Sequence, residues 1–220
     1  MLNTPLMSTQ SLLPEDEGLE LVHTRRYETR VYRLSDEELL VRSAVSDTKP
    51  PGLYIADDPE PLEIHQMQLE LRVTRPDLRI TAASVRFATH PHTTCPLIAT
   101  RYEQLVGLSI RRGFTSKVRE LFAGAQGCTH TNALIQAMAP AVVQSVWSLA
   151  VREGTTLSGR GSKLTPEDRE RRIAGNLNTC HVWAEGGTHV EKLRRGDTSE
   201  FPPVPVKDRL RSLGRDDSSW

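Results

Sequence analysis

The residues with the most chemical potential in this chain are its cysteines, and all three keep company with histidine: His92-Thr93-Thr94-Cys95, Cys128-Thr129-His130 and Cys180-His181. Thiolate and imidazole are the ligand pair that zinc and iron favour. Cys95 and Cys128 each stand where a loop gives way to a helix-like pattern. The free N–H groups and positive dipole end of a helix start favour a thiolate there. His65 brings an imidazole from a strand-like segment. The expected site is therefore one zinc or iron ion held by His65, Cys95 and Cys128, with His130, His92 or water in the fourth position. Two thiolates and an imidazole leave an open coordination position, which suits Lewis-acid chemistry on a small molecule: hydrolysis, hydration or cyclisation of an acyl-type metabolite. Two other readings stay open. Cys95 or Cys128 can act as a metal-free reactive thiol, or both can be small buried packing residues.

These side chains need elements to position them. Tyr27, Thr29 and Val31 alternate with charged or larger partners, and Glu38 to Val45 repeats the β signal. His65, Met67, Leu69, Leu71 and Val73 share one parity, with Gln66, Gln68, Glu70 and Arg72 on the other, as expected of a strand with one buried and one wet face. Arg75-Pro76-Asp77 turns the chain into a return strand from Ile80 to Phe87. By parity His65 belongs to the core face.

After Phe87 the period changes from two to about 3.6. Helices are expected from Pro96, from a cap at Thr115 or Ser116, and from Thr131, the last carrying Pro140 in its interior. Thr165-Pro166-Glu167-Asp168 is a strong helix start. Strands first and helices afterwards predict an α+β fold, an antiparallel sheet with helices on one face. Residues 1–20 read as a flexible leader, 21–185 as a single domain and 186–220 as an extended or weakly ordered tail.

Other residues read as scaffolding. Ser46-Asp47-Thr48-Lys49-Pro50-Pro51-Gly52 has turn chemistry, although Asp47-Thr48-Lys49 is polar enough to line a pocket. His23, His90 and His189 read as surface residues, and Cys180-His181 lies past the compact region. Lys plus Arg and Asp plus Glu each number 28 in 220 residues, with no long basic run, which argues against nucleic acid. No apolar stretch reads as the ~20 residues of a membrane span. The expected setting is cytoplasmic, with reduced thiols and a possible homo-oligomer.

His23-Thr24-Arg25-Arg26, Asp47-Thr48-Lys49-Pro50, Ile64-His65-Gln66-Met67, Cys95-Pro96, Leu105-Val106-Gly107 and Gly127-Cys128-Thr129-His130 occur in order. Together they resemble an uncharacterised bacterial family, domain of unknown function 2889, over roughly residues 21–185. The family implies no activity. The order of hairpin, cysteine before a helix, and cysteine before a long helix also resembles U-type iron–sulfur cluster scaffolds. That resemblance matches Cys95 and Cys128 to two scaffold cysteines and sets His65 near the scaffold's aspartate. No cysteine stands around Glu63, and Gly127 takes the place of the scaffold histidine. It implies an alternative function, a scaffold or carrier of an iron–sulfur cluster or metal without catalysis.

Overall fold

The alternation of residues 24–89 builds a four-stranded antiparallel meander in the order β1-β2-β3-β4, with β1 Thr24–Arg33, β2 Glu38–Lys49, β3 Leu62–Thr74 and β4 Ile80–Thr89. The computed structural model describes residues 11–14, 18–153, 165–197, 199 and 202–216. Most of the leader expected over residues 1–20 lies outside these.

Parity decides the faces. Leu39, Val41 and Val45 of β2 and Met67, Leu69, Leu71 and Val73 of β3 are buried, while Arg42, Glu70 and Arg72 between them reach solvent. Register is set by the same pattern, because a one-residue slip would turn every apolar side chain outward. Across the strands, Arg25 faces Asp47 and Asp47 faces His65. One row thus carries all three on the core side.

Between Asp47 and Thr48 the β2–β3 register shifts: His65 opposes Asp47 but Glu63 opposes Thr48, leaving Ile64 as an extra residue. Asp47-Thr48-Lys49 is strand, not turn. Lys49 is the last residue of β2, and the turn begins at Pro50.

After β4 comes a 3-10 helix, Cys95–Leu105, with Pro96 in its first turn and Tyr102 and Leu105 buried. α1 (Phe114–Phe122) and α2 (Thr129–Arg152) follow. The expected cap at Thr115 or Ser116 is not found: α1 begins at Phe114, so both lie inside its first turn, and Gly113 stands at the N-cap in a left-handed conformation, φ 92. Phe114, Val118 and Phe122 of α1 and Leu134, Ile135, Met138 and Val142 of α2 add to the core of this unit. The antiparallel sheet in the N-terminal half and helices towards the C-terminus make the fold α+β.

The chain divides into two compact units after Val142, within α2. The second contains α3 (Pro166–Asn176), α4 (Thr188–Arg194) and α5 (Val204–Ser212). α3 opens with a full capping box: the Thr165 hydroxyl accepts from the Asp168 N–H at 3.1 Å, and Asp168 accepts from the Thr165 N–H. Ile173, Val190 and Leu193 form a small core with Leu177 and Trp183. α4 and α5 thus occupy part of the stretch read as a weakly ordered tail. Their apolar residues are few and their helices short, so no period shows in the sequence. His189, read as a surface residue, is half-buried with its ring edge-on to Trp183, centroids 4.7 Å apart.

α2 is 24 residues long and, by length and composition, apolar enough to cross a membrane. Pro140 and the small residues around it hide that property from a reading by runs. Its first half nevertheless supplies core residues of the sheet unit.

Candidate functional site

Asp47 continues the buried alternation of β2 and is 2% exposed. A carboxylate so placed needs partners, since an unpaired buried charge carries a heavy desolvation cost. It has several. Arg25 donates to both oxygens, Nε to Oδ1 at 2.6 Å and Nη2 to Oδ2 at 2.7 Å, the bidentate fork geometry that guanidinium offers. His23 Nε2 stands 3.4 Å from Oδ1. His65 Nδ1 and His130 Nε2 approach Oδ2 at 3.1 and 3.2 Å.

The two imidazoles stack, ring centroids 3.9 Å apart and planes at 27°. Both are about one-fifth exposed, so the cluster opens to solvent on their side. Arg25 holds the Asp47 carboxyl down at about 2, against the opposing effect of burial. Burial, then the positive charge of His65 and Arg25, lowers the pKa of His130. His130 is therefore held towards the neutral imidazole.

His130 reaches this row from α2, and the start of that helix is tightly fixed. The Cys128 N–H donates to the Tyr102 hydroxyl at 2.7 Å, and that hydroxyl lies 2.9 Å from Asn132 Oδ1, to which it donates. Asn132 Nδ2 donates to the Phe122 carbonyl at 2.7 Å, and the Asn132 N–H to the Cys128 carbonyl at 2.9 Å. Tyr102 is fully buried against Phe122, and burial raises its pKa to about 12, so the phenol stays protonated. Gly127 is required by close approach. A Cβ there would lie 2.5 Å from the Phe122 carbonyl oxygen and 3.0 Å from the Tyr102 hydroxyl. The position where a U-type scaffold carries histidine has no room for a side chain.

Among the described residues, the group of His, Cys, Asp or Glu able to hold a metal ion is Asp47, His65 and His130, whose ligand atoms lie within 4.8 Å of one another. Of the four residues expected at the site, the structure brings His65 and His130 together and adds Asp47. Cys128 stands beside them, its sulfur 3.9 Å from His130 Nδ1, the nitrogen turned away from the Asp47 contact. Cys95 is half-buried at the start of the 3-10 helix, its N–H donating to the His92 carbonyl at 3.0 Å, and is outside the group. His90 turns to that carbonyl too, at 2.9 Å. Cys180 is exposed.

Sequence reasoning did not place Arg25 or His23 at the site, and it read Asp47 as part of a turn in preference to a pocket lining. The available signal was parity: Asp47 continues the series Leu39, Val41, Ser43, Val45, and Arg25 the series Tyr27, Thr29, Val31. Turn-forming neighbours Pro50, Pro51 and Gly52 outweighed it.

A family model described as a protein of unknown function (DUF2889) matches residues 23–144. The match begins at His23 and includes Arg25, Asp47, His65, Cys128 and His130, while nearly all of the second unit lies beyond it. No curated protein and no solved structure matches the chain.

Proposed function

We propose that this chain, which belongs to the DUF2889 family, is a metal-dependent enzyme acting on a small molecule, with one zinc or iron ion held by His65 Nδ1, His130 Nε2 and Asp47 Oδ2. The observation that carries this reading is the convergence of those three atoms. Oδ2 lies 3.1 Å from His65 Nδ1 and 3.2 Å from His130 Nε2, close enough for the three residues to share one ion. Two imidazoles and one carboxylate form a set used by catalytic zinc and by non-haem iron, and it leaves open positions.

Arg25 fixes the carboxylate from behind. A carboxylate has about four lone-pair sites, so Arg25 takes one on each oxygen and leaves Oδ2 another. The ion would supply Lewis-acid polarisation of an acyl oxygen or activation of water. His23, 37% exposed, stands at the rim beside Oδ1. Hydrolysis, hydration or cyclisation fits such a site. The reading places the protein in the cytoplasm, where its free cysteines stay reduced.

A second reading rests on the bidentate Arg25–Asp47 pair, which already neutralises the carboxylate. On that reading Asp47 orients His65 and His130 as a metal-free acid–base pair.

Elemental analysis of the full chain purified without chelator separates the two. The metal reading expects about one equivalent of zinc or iron per chain, lost in His65→Ala, His130→Ala and Asp47→Ala and retained in Cys95→Ala, Cys128→Ala and Cys180→Ala. Absence of metal, with no uptake on adding Zn(II) or Fe(II), overturns it in favour of the second reading.

A further inference from the structure

β1 is an edge strand. Among the described residues it pairs with β2 alone, so the backbone groups along its other side have no strand neighbour. It runs ten residues without Pro, Gly or a register shift, and Tyr27 and Tyr32 on it remain 43% and 40% exposed. A long, regular edge of this kind is a template for another strand unless something blunts it. Charge is the only such device on β1, in Arg25, Arg26, Glu28, Arg30 and Arg33, and the arrangement of these charges decides which strand fits.

We propose that β1 pairs antiparallel with β1 of a second copy of this chain, about a two-fold axis at Thr29, joining the two sheets into one. A two-fold perpendicular to the sheet keeps each face on its own side. Residues opposite each other must then share parity, so the axis has to pass through a residue position. Centred on Glu28, the pairing opposes Glu28 to itself and Arg26 to Arg30. Centred on Arg30, it opposes Arg30 to itself. Like charges directly opposite destabilise a pair of strands.

Centred on Thr29, the same sequence becomes complementary. Glu28 faces Arg30 of the second copy, twice over by symmetry. Tyr27 faces Val31, and Arg26 faces the ring of Tyr32. The outermost pair, Arg25 with Arg33, brings charges already engaged, since Arg25 is forked onto Asp47 and Arg33 bonds Asp36. Centring on Tyr27 also brings Arg26 to Glu28, but over a shorter overlap that leaves Tyr32 unpaired. Within the isolated chain Arg30 Nε rests on Glu28 Oε1 at 2.5 Å, both more than half exposed, so the two charges are free to re-pair across the axis. Glu28 and Arg30, whose charges select this register, lie on the opposite face of the sheet from Asp47 and its histidines.

Sedimentation velocity of the full chain over a concentration series tests the proposal through a charge swap. Glu28→Arg and Arg30→Glu should each weaken the dimer about ten-fold or more, because each places two like pairs across the axis. The double variant Glu28→Arg/Arg30→Glu should return to within a few-fold of wild type. Arg30→Glu also separates the registers, since an axis at Tyr27 would leave it without effect. Matching circular dichroism and thermal midpoints establish that each variant folds. In a Cys180→Ser background, Thr29→Cys should form an intermolecular disulfide, because directly opposed residues bring their Cα atoms to about 4.5–5.5 Å, within disulfide range. A wild-type chain monomeric at every concentration, a folded double variant that stays monomeric, or failure of Thr29→Cys to cross-link each overturns the proposal.

Discussion

Asp47 and Glu63 are carboxylates at the same end of the sheet, on neighbouring strands, and they are held in opposite ways. Asp47 is buried on the core side among groups that carry or can take up positive charge: Arg25, His23, His65 and His130. Glu63 is half-buried and served by neutral donors, the hydroxyls of Ser46 at 2.7 Å and Thr89 at 2.6 Å and the Gln66 amide at 3.1 Å. Both acids are satisfied, but only one is surrounded by groups that can change protonation state or change partner. Neutral donors on three neighbouring positions of the open face make Glu63 a fastener between β2, β3 and β4. The partners of Asp47 make it a place where chemistry can happen.

The largest effect that sharpens this contrast is expected from Asp47→Ala. It removes the shared acceptor of Arg25 and two imidazoles, and should cost about 2–3 kcal/mol in urea unfolding, as for loss of a hydrogen bond to a charged group. Metal binding should go with it. Asp47→Asn keeps the shape and should recover part of the stability without restoring metal.

Acid comes next. The Asp47 carboxyl is depressed to about 2, chiefly by its hydrogen bonds with Arg25, against roughly 3.9 for an unfolded aspartate. A folded pKa below the unfolded one means the stabilisation is whole above about pH 4 and is lost as pH falls towards 2. Urea midpoints should therefore drop through that window in the wild type and drop less in Asp47→Asn. Equal slopes for the two proteins would break the assignment of this acid sensitivity to Asp47.

Glu63→Gln should do least. One neutral acceptor remains for the Ser46 and Thr89 hydroxyls, so the expected loss is about 1 kcal/mol or less, with metal content unchanged. A drop in metal would show that the open face is coupled to the site.

The sheet was legible because its two faces differ. A wet face and a dry face write period two into β2, β3 and β4, and that pattern placed His65 on the core side. His130 was legible as chemistry but not as geometry, since its direction depends on how Tyr102, Gly127 and Asn132 fix the first turn of α2, contacts made across long sequence separations. The cysteines drew the reading because thiolates are such good ligands. An aspartate followed by Thr48, Lys49 and Pro50 looks like a turn until the strand beside it is known. In the second unit the start of α3 was legible from Thr165-Pro166-Glu167-Asp168, but its core was not, because Ile173, Val190 and Leu193 come from two helices too far apart in the chain to share a period.

The extra residue Ile64 on β3 has a consequence for charge. Two positions separate Glu63 from His65, and in an unbroken strand both would project from the same side, setting a second negative group beside Asp47. The slip at Ile64 inverts the phase between them, so His65 meets Asp47 while Glu63 meets Ser46 through the other side of the sheet. One surplus residue works as a sorting gate. It sends two acids only a strand apart to opposite faces of the sheet, each with its own set of partners.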